Sequence, residues 1–137
     1  MWIVYALLSA LFAGLTSILA KIGVENIHSD LAVAIRTAVV LVMSWGIVFI
    51  TGKHTGIAHI GHKNFLFLVC SGIATGASWL CYYKALQIGE ASKIMPIDKL
   101  SLVIGMILAF VILKETLTIQ TIIGGALITI GTFVLLL

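Results

Sequence analysis

Long apolar runs and short polar interruptions divide the chain five times over. Trp2 to Ala20 contains no charged residue, Leu31 to Gly52 contains only Arg36, and Phe65 to about Leu86 only Lys84. The run from Ala91 to Leu113 has Lys93, Asp98 and Lys99 near its start, and Thr118 to Leu137 is uncharged. About 20 mostly apolar residues cross a bilayer as a helix. The pattern predicts an all-α integral membrane protein with helices over about 2–23, 31–52, 65–87, 91–113 and 117–137, forming a single transmembrane domain over 1–137. No alternating strand pattern of a membrane barrel occurs. No basic segment precedes the first run, and Lys21 stands where a small-residue cleavage site would be needed, so this run is expected to be a retained span rather than a signal peptide. Ser29-Asp30 offer an N-cap for the second helix.

Composition sharpens this picture. Of 137 residues, 61% are hydrophobic and 9% charged, against about a quarter charged in a soluble domain. Mean hydropathy is +1.23. The net charge of +3 is spread thinly, with no dense Lys/Arg patch for nucleic acid. Cys70 and Cys81 share one run, about 16 Å apart at helical rise, too far for a disulfide.

Small residues form stripes on several predicted helices. Ala6, Ala10, Ala13, Gly14 and Ser17 lead to Lys21; Asp98, Ser101, Gly105 and Ala109 share one face; Gly72 and Gly76 form a small-xxx-small pair; Gly124, Gly125 and Gly131 mark the last helix. Such stripes let helix backbones approach closely in lipid.

Charge inside a span is costly and marks a functional candidate. Folding the runs as hairpins places Lys21, Arg36, Lys84, Asp98 and Lys99 in one layer about 10 Å inside one membrane face. Four cations accompany one anion, and a Lys84–Asp98 pair would ease the burial of both. Lys and Arg near helix ends also snorkel without any further role, whereas Asp98 is too short to do so. Pro96 lies two residues before Asp98 and is expected to kink the fourth helix. A kink beside ionisable residues is a common way to build a transport site near the midplane. The candidate substrate-binding or coupling residues are therefore Asp98, Lys99, Lys84, Arg36, Lys21 and Ser101.

Other chemistry finds little support. His54, His59 and His62 cluster in the longest connection without Cys, Asp or Glu, which reads as a solvated loop rather than a metal site. Neither a nucleophile elbow nor a His-Glu-x-x-His motif nor a glycine-rich phosphate loop occurs, so no enzyme activity and no cofactor are expected.

Tyr82-Tyr83-Lys84-Ala85-Leu86, then Ala91-Ser92-Lys93-Ile94-Met95-Pro96-Ile97-Asp98-Lys99-Leu100-Ser101, resembles the drug/metabolite transporter superfamily. The stretch Phe110 to Thr118 resembles the ending of the fourth helix in its EamA domain. The glycine-bearing last helix, and Ala20-Lys21-Ile22-Gly23 followed by Arg36, fit the same pattern. Most EamA proteins carry two five-helix halves. This chain looks like one half, as in the single-domain bacterial/archaeal subgroup, and departs from the commoner pattern in having Asp98-Lys99 after the proline.

The resemblance implies a multi-pass inner-membrane transporter of small solutes. Its partners would be the lipid bilayer, a small-molecule substrate and a second copy of the chain, with no nucleic acid. Two oppositely inserted copies would recreate an inverted repeat. Positive residues in short loops set orientation; here they number three on one side (Lys53, Lys63, Lys114) and two on the other (Lys21, Lys93), a weak bias that allows an antiparallel homodimer. The excess of cations in the layer favours an anionic substrate. The rival readings are an accessory membrane subunit without transport of its own, and a channel-like or lipid-translocating protein.

Overall fold

The computed structural model describes residues 2–137, and among them every regular element is helical. The helices are α1 (Trp2–Gly23), α2 (Ser29–Ile50), α3 (His62–Ile88), α4 (Ala91–Asp98), α5 (Leu100–Leu113) and α6 (Ile119–Leu136). Five helical stretches are long and apolar enough to cross a membrane, with α4 and α5 together making the fourth. The connection between α2 and α3 is itself ordered: Lys53–His59 forms a 3₁₀ segment.

Two compact units divide the chain, residues 1–88 and 89–137. In the first, α3 packs against both α1 and α2. Its buried apolar residues are Ala20, Val24, Ala32, Val33, Tyr83 and Leu86. They gather toward the end where α1 closes, α2 opens and α3 finishes. Most large apolar side chains point outward instead, which suits hydrocarbon and would be ruinous in water. In the second unit, α6 packs against α4 and α5. An ideal Cβ built on Gly125 would lie 3.5 Å from Met106 Sδ, so this glycine meets α5 at ordinary contact distance.

Local chemistry sets the element ends. Thr118 caps α6, its hydroxyl accepting from the Thr121 N–H at 3.2 Å. Gly52 takes a left-handed conformation (φ 68°) where α2 gives way to the 3₁₀ segment. Lys114 does the same after α5 (φ 55°), although it carries a side chain. The expected Ser29-Asp30 cap is not formed. α2 already begins at Ser29, its N-cap is His28, and no side chain caps it. The Ser29 hydroxyl instead lies 3.5 Å from its neighbour's carboxylate, Asp30 Oδ1.

Candidate functional site

In the second unit the fourth span is interrupted. Proline has no N–H and crowds the preceding turn, so Pro96 weakens the helix around it. The interruption falls at Lys99, where α4 stops and α5 starts. The Lys99 N–H turns back to the Pro96 carbonyl at 3.1 Å, and Leu102 N–H to the Lys99 carbonyl at 3.0 Å. These are tight three-residue bonds rather than α-helical ones. Thr132 on α6 is 4% exposed, and its hydroxyl lies 3.3 Å from the Pro96 carbonyl and 2.9 Å from that of Ile128. A neighbouring helix thus supplies a donor beside the broken backbone, which is how such breaks are tolerated in lipid.

Asp98 and Lys99 flank the break and pair with each other, Nζ to Oδ2 3.6 Å. Asp98 is half-buried and Lys99 exposed. Ser101 lies on the first turn of α5, in a cleft of about 430 Å³ that also reaches Gly105, Glu115 and Thr121. Pro96 and these three candidates therefore stand within one short stretch at the interruption.

The first unit holds the other three. The Lys21 ammonium donates to the Leu86 carbonyl at 2.6 Å. That carbonyl belongs to the last turn of α3, whose terminal carbonyls have no partner within the helix and carry the negative end of its dipole. Lys84 is exposed and donates to Gln87 Oε1 at 3.3 Å, while the Gln87 amide donates to the Ile27 carbonyl at 2.7 Å. Lys84 thus finds its partner on its own helix.

Arg36 is placed differently. Its guanidinium carbon stands 3.9 Å from the centre of the Trp79 ring and 5.7 Å from that of Tyr83. Trp79, Tyr83 and Leu86 recur at helical spacing along one face of α3, and Tyr83 and Leu86 are buried. An arginine over an indole face is held electrostatically while its edge donors remain available. Beside it opens a cleft of about 330 Å³ lined by Thr16, Leu19, Ile27, Ile35, Arg36 and Tyr83, among others. The adjacent Tyr82 hydroxyl donates to Ser17 Oγ at 2.9 Å, joining α3 to α1.

Trp79 and Thr132 were not singled out by sequence, and Tyr83 entered only as part of the stretch that carries the family resemblance, not as a site candidate. The aromatic spacing of Trp79 and Tyr83 was a signal for that pair. Thr132 carried none, because its partner is a carbonyl.

An interrupted span flanked by ionisable residues suits movement of a solute across a membrane. Residues 1–137 match the EamA-like transporter family. The chain belongs to that family. It is 45% identical over 134 residues to an uncharacterized transporter encoded in the cobO 3' region of a Sinorhizobium species, covering 98% of this chain and 95% of that one. It is also 31% identical over 133 residues to an uncharacterized protein of Methanocaldococcus jannaschii, covering 97% and 94%. No solved structure matches. This EamA protein is thus a multi-pass membrane transporter, and both relatives are close to it in length.

Proposed function

We propose that this EamA protein is a non-enzymatic secondary transporter of small solutes in the inner membrane, working as a homodimer by alternating access and favouring anionic substrates. The observation that carries the reading is the interruption of the fourth span at Lys99, with Asp98 and Lys99 beside it. A helix broken within the bilayer offers charges and backbone groups to a solute. In the first unit Lys21, Arg36 and Lys84 carry positive charge, and in the second Lys99 stands beside Asp98; this excess of cations favours an anion. Asp98 is the candidate for coupling a proton to transport, and Ser101 for a neutral hydrogen bond to the solute.

Two features support a dimer. Five spans give half the helices of the ten-span members of the superfamily, and both relatives have nearly the length of this chain. Within its own unit, a Cβ built at Gly72, Gly76, Gly124 or Gly131 meets nothing, so these small-residue faces have room for another helix. Oppositely oriented copies would supply the inverted repeat of alternating access.

The test is uptake into liposomes containing only the purified protein, across a panel of anionic, zwitterionic and cationic metabolites. Saturable uptake of at least one anion is expected. Uptake confined to cations would overturn the charge preference, and would move the substrate contacts to Asp98 and Glu25. Uptake of nothing across a broad panel would overturn transport by the chain alone.

A further inference from the structure

The Arg36 side chain departs from what a lipid-exposed arginine ordinarily does. Snorkelling carries the guanidinium toward the nearest headgroups. On α2 the nearest end is the start, beside the finish of α3, as the Gln87 bond to the Ile27 carbonyl shows. Measured along α3 from that end at helical rise, Tyr83 lies about 8 Å deep and Trp79 about 14 Å. The guanidinium sits over Trp79 and farther from Tyr83, so it reaches inward rather than outward. Among the described residues it has no ion pair and no hydrogen bond. A charge turned inward, lying over an indole and keeping every donor uncommitted, is poised for an anion.

The walls beside it define the rest of the ligand. Leu19, Ala20, Ile27, Ala32 and Ile35 make the cleft predominantly apolar, and Thr16, Tyr83 and Arg36 are the lining residues with polar side chains. Its volume of about 330 Å³ exceeds what an inorganic anion needs.

We infer that this cleft is a subsite for an amphipathic anion, with the acidic head on Arg36 over Trp79 and the apolar body along α1 and α2. This narrows the substrate class of the transporter reading and rests on it only for its physiological purpose. A free carboxylic acid and the headgroup end of an anionic lipid share the chemistry, and the experiment separates them.

Trp2→Phe and Trp45→Phe leave Trp79 as the sole indole, since the chain has three. The protein is placed in phosphatidylcholine nanodiscs and titrated with hexanoate, acetate and hexylammonium while Trp79 emission is followed. Hexanoate should change the emission saturably. Each buried methylene adds roughly fourfold in affinity in full enclosure; in an open cleft, acetate should still bind at least tenfold more weakly. Hexylammonium should have no saturable effect. Arg36→Gln should abolish the response. Arg36→Lys, which keeps the charge but loses the planar guanidinium, should weaken it several-fold and guards against a simple folding defect in the first variant.

Discs containing phosphatidylglycerol form the second arm. An Arg36-dependent emission change on adding that lipid, with hexanoate then competing poorly, supports the site and assigns it to a lipid. Full hexanoate binding in both disc types supports the site and assigns it to a solute. The inference is overturned if neither anion perturbs Trp79, if hexylammonium binds as well as hexanoate, or if Arg36→Gln binds normally. Binding here is read without flux. Arg36-dependent binding in a protein that transports nothing would leave this site standing and remove the transporter reading. Saturable transport with a silent Trp79 would do the reverse.

Discussion

Replacing Lys21 with Met separates a structural ammonium from a substrate ligand. Methionine keeps much of the side-chain stem but removes the charge that donates to the Leu86 carbonyl at 2.6 Å. Hydrogen bonds from charged donors contribute about 1.5–3 kcal/mol in soluble proteins. Interhelical bonds in membranes average nearer 0.6 kcal/mol, because the unfolded chain finds other partners there. The negative end of the α3 dipole adds about 0.3–1 kcal/mol, reduced by partial exposure. Lys21→Met should therefore cost about 1–2 kcal/mol, a shift of roughly five- to thirtyfold in the folding equilibrium. The assay is denaturant unfolding in detergent, run alongside transport in liposomes. Gln87→Leu removes the second tether at the same end, from Gln87 to the Ile27 carbonyl. Because Leu86 and Gln87 are adjacent, the double variant should depart from additivity by about 0.5 kcal/mol or more. Unchanged stability together with lost transport in Lys21→Met would refute the capping argument and make Lys21 a substrate contact.

Three further outcomes are expected. Asp98→Asn should remain in the membrane but lose any response of transport to an imposed pH gradient; a retained response would take proton coupling away from Asp98. An antiparallel dimer predicts that single cysteines at Asn26 and Gly56, both exposed, are each partly labelled in intact cells by an impermeant thiol reagent on a background lacking Cys70 and Cys81, whereas full labelling at one and none at the other would establish a fixed orientation. Ser29, the first residue of α2, is 4% exposed and would give a false negative. Lys114→Gly should stabilise the protein by about 1 kcal/mol, read as a raised unfolding midpoint, because a side chain at φ 55° carries a steric cost that glycine escapes; a lowered midpoint would mean that the Lys114 side chain makes a stabilising contact.

The spans were legible because lipid imposes a simple rule: backbone groups must be satisfied within each helix, so apolar length alone marks the element. All five expected spans are present, with ends shifted by up to three residues, as when α3 begins at His62 rather than Phe65. The proline signal drew attention to the fourth span. It did not place the interruption, which falls three residues later at Lys99, where Thr132 from α6 meets the Pro96 carbonyl. That placement depends on packing between helices and leaves no trace in a local pattern. The charged residues were easy to find and their partners were not. Lys21 settles on a carbonyl and Arg36 on an indole, neither of which is a formal charge, so an argument from charge pairing could not select them. The Ser29-Asp30 cap failed for a related reason: Ser29 is buried inside the helix it was expected to precede.

Counterflow in liposomes tests the central claim most directly, that this EamA protein moves solutes through a site at the interrupted fourth span. Liposomes loaded with an anionic solute identified by uptake are diluted into a trace of the same labelled solute, with wild type and Asp98→Ala reconstituted at equal density. The account predicts a transient, saturable accumulation of label with wild type, and its absence with Asp98→Ala although the variant protein is inserted. Equal accumulation with both proteins would contradict the placement of the site, and linear, unsaturable entry with wild type would contradict carrier transport itself.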